Sequence, residues 1–283
     1  MTVSFIAEVS SNHNQDLERC YRFIETAARI GCAVVKFQLF RIDQLFAPSV
    51  LRRSAEHRKR KQWELPTEFL PLLHEKCVEH DIAFSCTPFY LEAVSELAPF
   101  VSFYKIASYE LPWKDLLIAC AETGKPVVLS TGMATMEEIA AAVMTLREAG
   151  CRDITLLHCV SAYPTSVDQC NLAVIETLRQ HFGCRVGWSD HSVSSAVIYR
   201  AVHRWGASLV EFHLDLDKKG EEYSLGHCWL PENASQMIET IRLGMAADGG
   251  RHKRVMPAEK PDRAWRRDPC DGLRPLASTR EHL

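Results

Sequence analysis

The feature that most constrains this chain is an alternation running along most of its length: short β-branched runs, each followed by a stretch of helical period. The runs VSFIAEV (3–9), AVVKFQ (33–38), IAFSC (82–86), FYKIA (103–107), VVLS (127–130), DITLLHC (153–159), CRVGW (184–188) and SLVEFH (208–213) read as strands. Helical spacing fills the gaps at 16–30, 67–80, 90–98, 113–123, 135–149, 171–182, 193–205 and 232–246. Thr135 with Glu138 forms the signature of a capping box at one helix start. Eight strand–helix units over about 245 residues match the count and length of a (β/α)8 barrel. The structural rival, a doubly wound open sheet, usually carries a glycine-rich phosphate turn after its first strand, and EVSSNHNQD is not one. The alternation fades near residue 248 into a segment rich in Gly, Pro and Arg. The expected organisation is therefore a barrel over 1–250 and a linker and tail over 251–283, packed on the barrel and too short for a second core.

Composition narrows the class. An apolar fraction of 47% supports a full core, and a net charge of -3 argues against bulk nucleic-acid binding. The first residues show no basic leader, and no apolar run approaches the 18 residues or so needed to span a membrane. Eleven cysteines lie scattered, several inside apolar runs, with no CxxC pair. That usage fits reduced core cysteines in a cytoplasmic protein rather than a disulfide framework.

A barrel requires its chemistry to gather at the C-terminal ends of the strands. Those ends read Glu8; Lys36 and Gln38; Thr87; Lys105, Ser108 and Glu110; Ser130 and Thr131; Ser161 and Tyr163; Ser189, Asp190 and His191; Glu211 and His213. Any one of these could be a satisfied core polar group or a loop residue; all eight strands delivering them at one end points to a site. Strands seven and eight are neighbours about 5 Å apart, so His191 and His213 can converge. Two imidazoles with nearby carboxylates suit a first-row divalent cation with open positions, the alternative being two separately hydrogen-bonded histidines. Lys36, Lys105, Thr87, Ser108, Ser130 and Ser189 form a complementary anion cradle, although a strand-end lysine could instead form a Schiff base.

In their order, AEVSSNHNQD, VVKFQ, FSCTPF, YKIASYE, KPVVLSTGMA, LLHCVSAYPT, GWSDHS and LVEFH resemble the catalytic barrel of the sialic acid synthase (N-acetylneuraminate synthase) family. The resemblance runs from Phe5 to about Gly250 and implies condensation of phosphoenolpyruvate with an N-acyl hexosamine or its phosphate. It implies manganese or magnesium at His191 and His213, and phosphoenolpyruvate held by Lys36, Thr87, Lys105, Ser108, Ser130 and Ser189. Glu8 corresponds to the family's catalytic acid. Gln38, Tyr163, Glu211 and Glu222 fall where sugar or metal-shell groups are expected, and Tyr163 and Glu211 are assigned with Glu8 to the catalytic centre. Glu110, Asp190 and Ser161 are added to the substrate-binding set by position. Ser161 departs from the pattern, since an asparagine that touches the phosphate is usual there. The segment after His213 is shorter than usual, with Glu222 where an aspartate is expected. The chain is also expected to stop before the family's C-terminal antifreeze-protein-like domain, which brings an arginine to the sugar; a homodimer or partner chain could supply that wall.

Two other functions fit the same barrel: a metal- or lysine-dependent pyruvate aldolase, which releases no phosphate, and a non-catalytic sugar binder. The run LRRSAEHRKRKQWELP (51–66) has seven basic members with His57 included. It reads as a solvated loop on the catalytic face, able to steer an anionic acceptor.

Overall fold

The computed structural model describes residues 3–250 and 252–282; of the expected domain limits, positions 1, 251 and 283 lie outside the described residues. Eight parallel strands form the expected barrel: β1 (Ser4–Glu8), β2 (Val34–Leu39), β3 (Ala83–Pro88), β4 (Tyr104–Ile106), β5 (Val127–Ser130), β6 (Ile154–Cys159), β7 (Arg185–Asp190) and β8 (Leu209–Leu214). Each pairs with the next, and β1 closes on β8 in a register running from Ser4↔Leu209 to Glu8↔His213. A short extra strand, β9 (Cys228–Trp229), was not expected. It pairs with β8 through His213↔Cys228 and Leu214↔Trp229, just past the Asp190↔Phe212 end of the β7 pairing.

The intervening helices follow the sequence periodicity: Leu17–Arg29, Phe69–Glu79, Leu91–Leu97, Lys114–Glu122, Met136–Glu148, Val174–Phe182 and Pro231–Asp248. The helix expected over 193–205 is α-helical over Ser195–Tyr199 and continues as a π-helical turn over Arg200–Arg204. The Thr135–Glu138 capping box forms in both directions, at 2.8 and 3.3 Å.

Strand alternation sorts the side chains into two populations. Phe5, Ala7, Val35, Phe37, Phe84, Tyr104, Ile106, Val127, Leu129, Leu156, Val186, Trp188, Val210 and Phe212 belong to one buried apolar cluster shared with the surrounding helices. The alternate positions therefore face the barrel interior, and at its C-terminal end they read Glu8, Lys36, Gln38, Thr87, Lys105, Ser130, Cys159, Ser189, Glu211 and His213.

The basic stretch after β2 is not an unstructured loop. It folds as three short helices, Ile42–Leu45, Pro48–Arg53 and Ala55–Lys59, and a 3-10 turn, Arg60–Trp63. Each is too short for hydrophobic periodicity to announce it. Local contacts hold them: Ser54 accepts the His57 N–H at 3.3 Å, and the Arg60 guanidinium sits over the rings of Phe46 and Trp63 at 5.6 and 5.4 Å.

The chain divides into two units, Met1–Met245 and Ala246–Leu283, so the division falls a few residues before the expected one. Taken by itself, the second unit contains turns at Pro257–Glu259 and Pro261–Trp265 and the helix Ala277–Arg280. Asp268 organises it by accepting the N–H groups of Cys270 and Ala277 at 2.9 and 2.8 Å. Among the described residues, no helix is long and apolar enough to cross a membrane.

β7 leaves no room for a side chain at Gly187. A Cβ there would lie 2.2 Å from the Leu209 carbonyl oxygen and 2.6 Å from Leu157 Cδ2. Gly187→Ala should therefore cost about 1–3 kcal/mol or more by overpacking, since backbone cannot yield as a side chain can. Urea unfolding checks this, and an unchanged midpoint would show that β7 and β8 have slack.

Candidate active site

At the C-terminal end of the barrel interior, two carboxylates and two ammonium groups are buried together. Lys36 pairs directly with Glu8 Oε2 and lies 3.8 Å from Glu211 Oε2, while Lys105 lies 3.4 Å from Glu211 Oε1. Glu8 Oε1 accepts Gln38 Nε2 at 2.9 Å and the Ser10 N–H at 3.0 Å. Lys36 Nζ also donates to Thr87 Oγ1 at 3.2 Å, and Ser189 Oγ donates to Glu211 at 3.2 Å. Burial opposes the charge on Lys36, but Glu211 and Glu8 outweigh it and raise its pKa. At Lys105 burial prevails, with Lys36 adding repulsion against the attraction of Glu211, and the pKa falls. Burial would raise Glu211; Lys105 and Lys36 reverse this and bring it down to about 2.

Beside this quartet lies a set of hydroxyls with spare hydrogen-bonding capacity. Ser130 Oγ and Ser161 Oγ are buried without a partner among the described residues, as is Glu110 Oε2. The Gly132 N–H donates to Ser108 Oγ at 3.0 Å. A Cβ on Gly132 would lie 2.3 Å from Ser161 Oγ and 2.8 Å from Ser108 Oγ, so only glycine lets these two hydroxyls flank the backbone. Buried polar atoms left unpaired cost about 1–3 kcal/mol each. Such orphans at one barrel mouth are the kind of atoms that an oxygen-rich ligand satisfies. Burial also pushes the Glu110 carboxyl up to about 7, against the pull of Lys105.

The third component is the imidazole group. His191 donates from Nδ1 to the Val160 carbonyl at 2.8 Å, and His213 Nδ1 meets Glu222 Oε2 at 2.8 Å. Carbonyl and ionised carboxylate can only accept, so each imidazole carries a proton on Nδ1, which leaves Nε2 as the atom that a neutral ring would offer to a cation; burial opposes charge on His213, but Glu222 outweighs it and raises its pKa. Their rings are 5.3 Å apart, with the Tyr163 ring tilted against His191 at 4.1 Å. Burial, then the neighbouring His213, lowers the His191 pKa to about 3, so it stays neutral. This donor chemistry fits a divalent cation held by His191 and His213, with Val160 and Glu222 orienting the rings.

Glu222, carried on the segment after β8, is held in place from several directions. It accepts Ser11 Oγ at 3.3 Å and Ser10 Oγ, its N–H donates to Asn12 Oδ1 at 2.9 Å, and its Oε2 lies 3.4 Å from His227 Nε2. Asn12 in turn donates to the Leu214 carbonyl at 3.0 Å. Arg19 clasps the same region, donating to Asn12 O at 2.6 Å, to Asp215 at 2.8 Å and to Asp217 at 2.9 Å. Asn12, Arg19 and His227 escaped sequence reasoning. The available signals were the adjacent His–Cys of GHCW and the polar SSNHN stretch, where Ser10, Asn14 and Gln15 take positive φ.

Asp190 requires a correction. It sits on the outward face of β7, fully buried, with its carboxylate accepting Trp188 Nε1 at 3.1 Å, Ser192 Oγ at 2.6 Å, the Val193 N–H at 3.1 Å and Trp229 Nε1 at 3.0 Å. It braces the turn that presents His191 and has no open acceptor for substrate. Tyr163 is at the opposite extreme, 41% exposed at the mouth.

Comparison with known proteins agrees with this fold. The NeuB family model matches residues 23–253. An uncharacterized protein of Methanocaldococcus jannaschii is 37% identical over 90% of this chain and 74% of its own length. The pseudaminic acid synthase of Helicobacter pylori is 31% identical over 89% of this chain and 77% of its own. Among solved structures, the sialic acid synthetase of Leptospira borgpetersenii superposes with a TM-score of 0.80 at 28% identity, covering 93% of this chain and 90% of that one. With the family model spanning most of the barrel, the chain belongs to the NeuB family of sialic acid-type condensing synthases.

Proposed function

We propose that the chain condenses phosphoenolpyruvate with an open-chain aldose, an N-acyl hexosamine or its phosphate, to give a 2-keto-3-deoxy sugar acid and inorganic phosphate. One observation carries this reading: a two-lysine, multi-hydroxyl cradle and two imidazoles oriented through Nδ1 share one barrel mouth. Lys36 and Lys105 supply charge for the carboxylate and phosphate of phosphoenolpyruvate. Thr87, Ser108, Ser130, Ser161 and Ser189 supply oriented hydroxyls. His191 and His213 would hold the divalent cation, manganese or magnesium by family resemblance, which when bound polarises the acceptor aldehyde.

The residues then divide the work. The cradle holds C3 of phosphoenolpyruvate against the aldehyde carbon, where the new carbon–carbon bond forms. Water adds at C2, and collapse of that tetrahedral carbon breaks the C2–oxygen bond to phosphate. Glu8, already hydrogen-bonded to Gln38 and Ser10, is positioned to take a proton from the water or return one to the new hydroxyl. Glu8 and Glu211 together neutralise the two lysines, and Tyr163, Gln38 and Glu222 line the acceptor side. The exposed Arg52, Arg53, Lys59 and Lys61 offer charge to an acidic or phosphorylated acceptor; Arg58 and Arg60 are partly spent on the Leu51 carbonyl and on Phe46 and Trp63. Nine buried free cysteines support a reducing, cytoplasmic setting.

A pyruvate aldolase using Lys105 as an imine-forming amine draws support from the lowered pKa of that lysine. The discriminating experiment is phosphate release from phosphoenolpyruvate across a panel of N-acyl hexosamines and their phosphates. Aldose-dependent release supports the synthase, and aldose cleavage or synthesis from pyruvate without release supports the aldolase.

Three outcomes are expected. Lys105→Ala should weaken phosphoenolpyruvate binding about tenfold to a hundredfold, as removal of a charge-assisted contact of about 1.5–3 kcal/mol requires. Unchanged affinity by calorimetry would move the cradle elsewhere. Glu8→Gln should keep phosphoenolpyruvate affinity while turnover falls by about 10²-fold or more; an enzyme with full turnover would make this carboxylate structural. Glu110 gives a pH-dependent stability. Its folded carboxyl titrates near 7 against an unfolded value of 4.5, so between these pH values the folded state binds the extra proton and stability falls as pH rises. Glu110→Gln removes this loss and should raise stability by up to about 3 kcal/mol more at pH 8 than at pH 4. Equal gains at both pH values in denaturant melts would contradict the raised pKa.

A further inference from the structure

The segment after β8 places a second imidazole on the carboxylate that His213 addresses. Glu222 Oε2 lies 2.8 Å from His213 Nδ1 and 3.4 Å from His227 Nε2. Its other oxygen, Oε1, accepts Ser11 Oγ at 3.3 Å and Ser10 Oγ. An ionised carboxylate offers about four lone-pair sites, so two donors on each oxygen occupy its capacity and fix its rotation. Because that oxygen can only accept, His227 turns an Nε2–H toward it. The ring's other nitrogen, Nδ1, is buried without a partner among the described residues. A buried polar atom left unpaired costs about 1–3 kcal/mol. Packing alone therefore gives no reason for an imidazole here, since an apolar side chain would fill the space without that cost.

The position of His227 is fixed from both sides. It is 2% exposed, with its ring 4.8 Å from that of His213 and 5.0 Å from that of Tyr163. The 3-10 turn Tyr223–Leu225 ends on Gly226 at φ 84°, a left-handed conformation that glycine adopts without strain and that redirects the chain into His227. On the other side, Cys228 pairs in register with His213, and Trp229 Nε1 donates to Asp190 at 3.0 Å, so the brace under His191 also anchors β9. Asn12 ties the two ends of the segment, accepting the Glu222 N–H at 2.9 Å and meeting Cys228 Sγ at 3.5 Å.

We propose that His227 is a positioning residue: it holds the Glu222 carboxylate in the rotation that presents Oε2 to His213, and through it sets the orientation of the His213 ring. The inference rests on the reading that His213 binds a divalent cation, and deepens it. Glu222 meets His213 at Nδ1, so a cation would be met by Nε2 on the far side of the ring. Glu222 and His227 thus act behind the imidazole and not on the ion. Without the His227 N–H, Oε2 keeps one donor of two and the carboxylate can turn toward Ser10 and Ser11. His213 then stays in β8 but loses the fixed partner that aims its ring. Partners of this kind change metal affinity by about 10–100-fold.

The test measures manganese(II) binding to the full chain, stripped by chelator, from the paramagnetic resonance signal of the free ion. His227→Leu should raise the manganese Kd by about tenfold or more. Its phosphoenolpyruvate affinity, measured by calorimetry at saturating manganese, should be unchanged, because the lysine cradle is built on other contacts. His227→Gln, whose amide can donate from the position of Nε2, should restore most of the manganese affinity. Glu222→Ala should weaken binding at least as much as His227→Leu, and the double variant should bind no more weakly than Glu222→Ala, since residues acting through one another are not additive. Unchanged manganese affinity in His227→Leu overturns the proposal. An equal loss in His227→Gln would assign the effect to ring packing and overturn it too, as would full additivity in the double variant. Loss of phosphoenolpyruvate affinity alongside manganese in His227→Leu would leave only a structural role. A His213→Ala protein that binds manganese as the wild type does would instead remove the underlying reading.

Discussion

The site depends first on a constraint of charge: Glu8, Lys36, Glu211 and Lys105 are nearly fully buried and must neutralise one another. A buried charge without its partner costs several kcal/mol, and breaking such a pair typically destabilises by about 3–5 kcal/mol. The four residues come from four strands, β1, β2, β4 and β8, so the quartet can form only when the barrel is closed and in register. It also explains why an anion would be welcome. A bound phosphate or carboxylate can take over part of the charge compensation that Glu211 now gives both lysines, releasing that carboxylate or Glu8 for other work. The mouth of the barrel is thus kept neutral by groups that can be repartnered.

Strand alternation gives a second layer of meaning to the same motifs. In SDH, Ser189 and His191 face the interior while Asp190 faces outward, where Trp188, Ser192, Val193 and Trp229 consume its lone pairs. One tripeptide therefore supplies an interior hydroxyl, an interior imidazole and the brace between them. The Asn12–Arg19–Asp215 clasp does the equivalent for Glu222, tying the segment after β8 to the turn after β1. Positioning groups of this kind hold ligands in orientation, and their loss is felt through the residues they support.

Most of the fold was legible because barrel strands are buried on both faces and read as short apolar runs, and because the long helices keep a 3.6-residue period. The interior set at the strand ends was legible for the same reason: Lys36, Lys105 and Glu211 interrupt runs that are otherwise apolar. What could not be read was local and short. The helices between Ile42 and Lys59 have at most two turns each, and β9 has two residues, so neither leaves a periodic trace. His227 and Cys228 lay in plain view, but nothing in GHCW states that the strand returns to pair with His213. Asp190 was misassigned because proximity in sequence to His191 says nothing of the face it occupies unless the register is known.

The account stands on a mechanism in which phosphoenolpyruvate is held at the quartet and loses phosphate by cleavage of its C2–oxygen bond. Phosphoenolpyruvate carrying heavy oxygen at the bridging position, turned over with an accepted aldose, tests this directly by mass spectrometry of the released phosphate. The label should leave with phosphate, and the new keto oxygen should come from water. Label retained in the organic product would mean cleavage at phosphorus, and the condensing mechanism drawn from this site would be wrong.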